Sequence, residues 1–127
     1  MAVERRVRVV VADDDRDTVM SLAFILGDEG YEVRRAYNGD EALTAVREFE
    51  PDAVVLDIAM PEPNGWEVAR RIRQMELGAR PLLIAISGQF VKPSDRVITD
   101  MAGFDHFCPK PCEPAKLLGW LANLKSV

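Results

Sequence analysis

Five short runs rich in β-branched and other apolar residues, 7–12, 31–36, 53–56, 81–86 and 104–108, alternate along this chain with longer stretches whose apolar residues recur at helical spacing. An alternation of that kind calls for strand–helix–strand units, in which each helix carries the chain back so that successive strands run parallel. Val19, Leu22, Ala23 and Leu26 fall at i, i+3, i+4 and i+7; sparser sets follow at Ala42, Val46 and Phe49, at Val68, Ile72 and Met75, and at Leu117, Leu121 and Leu124. A fourth helix near 95–102 has the faintest periodicity. The punctuation agrees with the pattern. Asn38 with Glu41, and Asn64 with Glu67, have the spacing of an N-cap whose partner three residues on reaches back to the cap's own N–H. Pro93 and Pro114 suit first helical positions. The first, third and fourth strands are nearly all apolar, as strands covered on both faces must be, whereas Glu32, Arg34 and Arg35 mark the second as an edge. The expectation is a doubly wound α/β sandwich, five strand–helix pairs around a parallel sheet.

A length of 127 residues suits one domain. The longest unbroken apolar runs, 22–26 and 82–86, fall far short of the ~20 residues a membrane helix needs. The amino-terminal apolar stretch ends at Asp13, Asp14 and Asp15, so it lacks the core of a signal peptide, and a cytoplasmic location is expected. A net charge of −5 repels nucleic acid and anionic membrane, so neither is an expected partner. Cys108 and Cys112, with His106 as the one histidine, cannot assemble a four-ligand zinc site. The two cysteines read as a small packing residue near a strand end and a loop residue.

Parallel strands deliver their carboxyl ends to one rim, and ligands of open α/β sheets bind in that crevice. The first strand ends at Asp13 and Asp14, the third at Asp57, the fourth at Ser87, and the fifth runs into Lys110. Singly these have ordinary explanations: Asp13, Asp14 and Asp15 as caps of the first helix, Asp57 as a loop carboxylate, Ser87 as a turn hydroxyl, Lys110 as a solvated charge. Joint placement is what points to chemistry. Three carboxylates at one rim repel each other by up to ~4 kcal/mol per pair at ~4 Å, and proteins relieve such repulsion by protonation or by a hard cation. Mg²⁺ suits the site, because it takes one or two carboxylates and leaves positions for phosphate oxygens. With Lys110 and the Ser87 hydroxyl as further contacts, the rim reads as a phosphoryl-binding acid pocket with its own nucleophile.

These residues resemble the receiver domain of two-component response regulators, and the likeness covers essentially the whole chain. It is carried by Asp13-Asp14 after a Val-rich strand, by Leu56-Asp57-Ile58-Ala59-Met60-Pro61 followed by Gly65, by Ala85-Ile86-Ser87-Gly88, and by Gly103 through Phe107 to Lys110-Pro111. The resemblance implies a flavodoxin-like sheet in strand order 2-1-3-4-5, one receiver domain over 1–127, and a phosphorylation switch that catalyses only its own phosphorylation and dephosphorylation. Asp57 would accept a phosphoryl group from the phosphohistidine of a histidine kinase or histidine phosphotransfer protein. Mg²⁺ would be held by Asp14, Asp57 and the Ala59 backbone carbonyl, with Asp13 assisting through water. Lys110 and Ser87 would bind the phosphoryl oxygens. Ser87 would then move toward the phosphoryl group and Phe107 turn inward. The surface of helix four, strand five and helix five would thereby change its affinity for a downstream protein, or for a second copy in a phosphorylation-dependent dimer. A cis Lys110–Pro111 bond is expected on the same grounds.

Some positions depart from the commoner pattern: Ser87 stands where Thr is usual, and Phe107 lacks the hydroxyl of a Tyr. Ala59 and Gln89 occupy positions that, by the resemblance, would tune water attack on the phosphoryl group in the family. Two rival functions differ in kind. An aspartate-nucleophile phosphatase of the haloacid dehalogenase type uses a similar residue set, but places its nucleophile after the first strand in an Asp-x-Asp pattern, where this chain has its acid pair first and Ala59 two residues after Asp57. An unphosphorylated docking module would not need the complete acid, hydroxyl and lysine set. Trp66 is expected to pack, with Trp120 and Val91 as candidates for partner binding; Arg70, Arg71 and Arg73 are expected to form a solvated helix face, and His106 to take a surface or capping role. No output domain is expected after helix five, which leaves a stand-alone receiver or a piece of a longer regulator.

Overall fold

The computed structural model describes residues 5–88 and 92–125. Strands β1 (Arg8–Ala12), β2 (Glu32–Ala36), β3 (Ala53–Asp57), β4 (Leu82–Ser87) and β5 (His106–Pro109) alternate with helices α1 (Arg16–Asp28), α2 (Gly39–Phe49), α3 (Gly65–Gln74), α4 (Pro93–Ala102) and α5 (Pro114–Ala122), and a short 3₁₀ turn (Asn123–Lys125) follows. The strands form one sheet in the order β2-β1-β3-β4-β5, every neighbouring pair parallel, as expected. Strand limits shift by up to two residues from the sequence reading. Tyr31 and Phe104, read as strand residues, lie just outside β2 and β5 yet are buried.

Alternate residues of the central strands feed two separate cores. Val10, Val54, Leu56 and Leu83 face Leu43 and Val46 of α2 and Val68 and Ile72 of α3, with Ala102 of α4 closing that side. Val9, Val11, Val55, Ile84 and Ile86 face Val19, Leu22 and Leu26 of α1 and Leu117 and Leu121 of α5. Burying side chains of this size contributes roughly 1.5–3 kcal/mol each, which is why strands whose side chains alternate in direction but not in polarity are stable here.

The helix starts carry their caps. Asn38 accepts the Glu41 N–H at 2.8 Å and Asn64 accepts that of Glu67 at 3.0 Å. The reciprocal half of each cap differs from expectation. Glu41 accepts instead from the Tyr37 N–H, and Glu67 pairs with Arg70 and Arg71 one turn on. Of the three consecutive acids, Asp15 caps α1, accepting from the Asp17 N–H and the Thr18 hydroxyl, which hold its carboxyl below the usual range.

The arginine trio divides. Arg70 and Arg71 are exposed, but Arg73 is not part of a solvated face: its guanidinium donates to the Gly103 carbonyl, the Pro81 carbonyl and Asp105, whose carboxylate also accepts the Leu83 N–H. Arg73 thus ties α3 to the chain entering β4 and β5. Gly103 turns with φ of 108°, and a Cβ there would lie 2.7 Å from Arg73 Cγ. Trp66 packs against the first core, as expected, and its ring N–H donates to Thr99 on α4 at 3.0 Å.

Candidate functional site

Strand register, rather than sequence proximity, assembles the rim. Ala12 pairs with Leu56, Asp57 with Ile86, and Ser87 with Pro109, so Asp13, Asp57, Ser87 and Lys110 end adjacent strands at one level. The strand order also reverses between β1 and β3, the crevice where open α/β sheets take ligands. Carboxylate oxygens of Asp13, Asp14 and Asp57 lie within 4.8 Å of one another. Asp13 and Asp57 are buried while Asp14 is exposed, so the repulsion concentrates on the first two.

Local bonds fix the buried pair. Asp13 accepts the Asp15 N–H at 3.0 Å, and its own N–H donates to the Ala36 carbonyl. Asp57 accepts the Ala59 N–H at 3.3 Å. The loop after β3 folds tightly against α3: Gly65 donates to the Ile58 carbonyl, and a Cβ on it would come within 2.5 Å of the Asp57 carbonyl oxygen. Only glycine fits there.

Lys110 reaches across the rim, its Nζ 2.8 Å from Asp13 Oδ2 and 3.6 Å from Asp57 Oδ2. Its backbone N–H donates to the Ser87 carbonyl at 2.9 Å, and the following peptide bond is cis, as expected; Glu62–Pro63 is cis as well. Burial, then the charge of Asp13, pushes the Asp57 carboxyl up to about 6 against the pull of Lys110. Burial lowers the Lys110 ammonium's affinity for its proton, but bonds and charges from Asp13 and Asp57 outweigh it, so its pKa is raised. A buried acid held reluctantly ionised beside two further carboxylates fits a hard divalent cation by its donor chemistry.

Ser87 is buried at the end of β4. Phe107 is half-buried on β5, its ring 4.7 Å beneath the Arg96 guanidinium of α4. His106 is half-buried and stacks on Trp120 of α5 at 4.5 Å. Gln89 and Val91 lie outside the described residues.

Two features escaped the sequence reading. Cys108 is a buried packing residue near the end of β5 and Cys112 lies in the loop before α5, as expected, but the two are also joined by a disulfide that the sequence reading did not include. Their signal was the Cys-Pro-Lys-Pro-Cys spacing, in which two prolines hold a short loop in shape. The Arg73 tie had no local signal, because its acceptor at Asp105 lies 32 residues away.

The profile of the response regulator receiver domain family matches residues 9–122. Among curated relatives, the response regulator MprA of Mycolicibacterium vanbaalenii is 41% identical over 118 residues, covering 93% of this chain and 50% of that protein. An uncharacterised 14.6 kDa protein of Leptolyngbya boryana is 36% identical over 110 residues, covering 87% of this chain and 83% of that protein. The chain thus spans half the length of the MprA proteins it matches. Among solved structures, a CheY-like response regulator receiver domain protein from Methanospirillum hungatei superposes with a TM-score of 0.85 at 27% identity, covering 94% of this chain and 93% of the other. A putative response regulator from Chloroflexus aurantiacus gives 0.85 at 30% identity, covering 94% and 97%.

Proposed function

This chain belongs to the response regulator receiver domain family, and we propose that Asp57 is its phosphoacceptor, with residues 1–127 forming one receiver domain of a two-component system. The observation that carries the reading is the convergence of Asp13, Asp14 and Asp57 with Lys110 bridging two of them at the rim. Receiver domains bind Mg²⁺ at such an acidic cluster; here Asp14, Asp57 and the Ala59 carbonyl would hold it, with Asp13 acting through water. Bound there, the ion supplies charge neutralisation for the nucleophile and the incoming phosphoryl oxygens.

Transfer is a displacement at phosphorus. A carboxylate oxygen of Asp57 forms a P–O bond as the P–N bond of a phosphohistidine breaks, and the imidazole keeps the electron pair and takes a proton. Raised affinity for protons makes the Asp57 oxygens comparatively basic and so comparatively nucleophilic, and partnership with Lys110 keeps them ionised near neutral pH. Lys110 and Ser87 receive the phosphoryl oxygens. Their new charge-assisted bonds favour a loop arrangement with Ser87 drawn in and Phe107 turned inward. The face of α4, β5 and α5 is the output surface for a downstream protein or a second copy, and α4 itself leaves Val97 and Met101 57% and 81% exposed. Upstream, the donor is a histidine kinase or histidine phosphotransfer protein. Among the described residues no helix is long and apolar enough to cross a membrane.

Incubation with Mg²⁺ and a small phosphodonor should add one phosphoryl mass to the wild type and none to Asp57→Asn. Absence of label on the wild type would leave a docking module, and repeated turnover of phosphomonoesters would favour a phosphatase.

A further inference from the structure

Both cysteines of this chain flank the residue that bridges its acid cluster. Cys108 is buried near the end of β5, Cys112 is half-buried before α5, and their Cα atoms lie 5.5 Å apart, within the ordinary span of a disulfide. The bond closes a ring of five residues with Lys110 at its centre. Pro109 and Pro111 restrict the two intervening turns of backbone, so the two sulfurs face each other at little entropic cost. Proline has no N–H, which leaves the Lys110 amide as the one backbone donor between the cysteines, and that amide is bonded to the Ser87 carbonyl. Outside the ring, Cys112 lines a solvent-open cleft of about 460 Å³ between α1 and the β5–α5 loop, together with Thr18, Leu22, Ile86, Lys110 and Pro114. A small thiol or disulfide entering that cleft meets the Cys112 sulfur first, while Cys108 stays shielded by the second core.

We propose that Cys108 and Cys112 form a redox modification site that sets the placement of Lys110: the disulfide holds the ammonium against Asp13 and Asp57, and its reduction to two thiols slackens the loop. The exchange balances through a mixed disulfide. A thiolate of a small dithiol attacks Cys112 and displaces the Cys108 thiolate; the second thiolate of the reductant then displaces Cys112. Cys108 and Cys112 gain two electrons and two protons, and the reductant becomes a cyclic disulfide. Oxidised glutathione reverses the change, each molecule leaving as two thiols. The consequence for signalling rests on Asp57 being the phosphoacceptor; the coupling of the disulfide to Lys110 does not.

The test compares wild-type protein oxidised with oxidised glutathione and reduced with dithiothreitol, its state fixed by mass after alkylation. Hydrogen exchange at the Lys110 amide should be at least tenfold faster in the reduced form, and labelling by a small phosphodonor with Mg²⁺ several-fold slower. Cys112→Ser should match the reduced wild type in both readouts whatever the redox buffer. Full alkylation of both thiols after oxidation, or equal Lys110 exchange in the two states, would overturn the proposal. No label in either state together with a large exchange difference would leave the redox site standing and remove the phosphoacceptor reading.

Discussion

At the scale of single residues, position along the burial gradient decides what each acid does. Asp13, Asp14 and Asp15 are consecutive and chemically identical, yet one is buried against Lys110, one is exposed at the cluster's edge, and one caps α1. Sequence alone allows helix capping for all three and a site role for Asp13 and Asp14. Both are present, divided by a turn of backbone. The cost of the arrangement falls on Asp57, whose carboxyl is pushed up to about 6 from the usual 3.8. A folded-state value above the unfolded one means that the folded protein binds the proton more tightly, so this group favours folding below about pH 4. That contribution is lost as pH rises through about 6. In magnesium-free buffer with a chelator, the wild type should therefore lose on the order of 2 kcal/mol of stability between pH 4.5 and 7.5 that Asp57→Asn does not lose. Urea unfolding across that range checks it, and parallel pH profiles for the two proteins would show that the cluster is not strained.

Elements carry their own logic. Helices α1, α2, α3 and α5 were legible from their apolar spacing, because one stripe of each is buried and the stripe repeats every turn; α4, which buries only Thr99 and Ala102, carried the faintest signal. The polar edges were less legible. Arg70, Arg71 and Arg73 look alike in sequence, but Arg73 sits beside Ile72 at the margin of the buried stripe and collects two backbone carbonyls and Asp105 from outside α3. Replacing it leaves those acceptors half-buried without their donor. Arg73→Met should cost about 2 kcal/mol in chemical denaturation, whereas Arg70→Met should stay within about 0.5 kcal/mol, since its pairing with Glu67 is solvent-exposed. The cap partners teach the same lesson from the other side. Asn38 and Asn64 accept the amides three residues on, as their spacing required, but Glu41 turns to the Tyr37 N–H and Glu67 to Arg70 and Arg71 at i+3 and i+4, a helical spacing that competes with the reciprocal cap.

For the molecule as a whole, the proposed switching requires a packed element with two arrangements, and Phe107, with the Arg96 guanidinium over its ring, is the element proposed to take them. A cation over an aromatic ring contributes about 0.5–1 kcal/mol at a partly exposed site. Arg96→Ala removes that hold, and the ring resonances of Phe107 in unphosphorylated protein should shift toward their positions in the phosphorylated form. Unchanged resonances would mean that the arginine does not hold the ring. Alternation of apolar runs and helical stripes determined the layers, the parallel sheet and the edge position of β2, because burial of a repeating stripe is a local property that sequence spacing records. The strand-ending residues named the rim for the same reason: a parallel sheet sends every carboxyl end to one side. Tertiary structure alone decided which of three adjacent acids faces Lys110, that Arg73 ties three segments, and that Cys108 and Cys112 meet across a ring around the bridging lysine. Those outcomes depend on register and on the approach of distant chain segments, where free energy is set by geometry in three dimensions rather than by the order of residues.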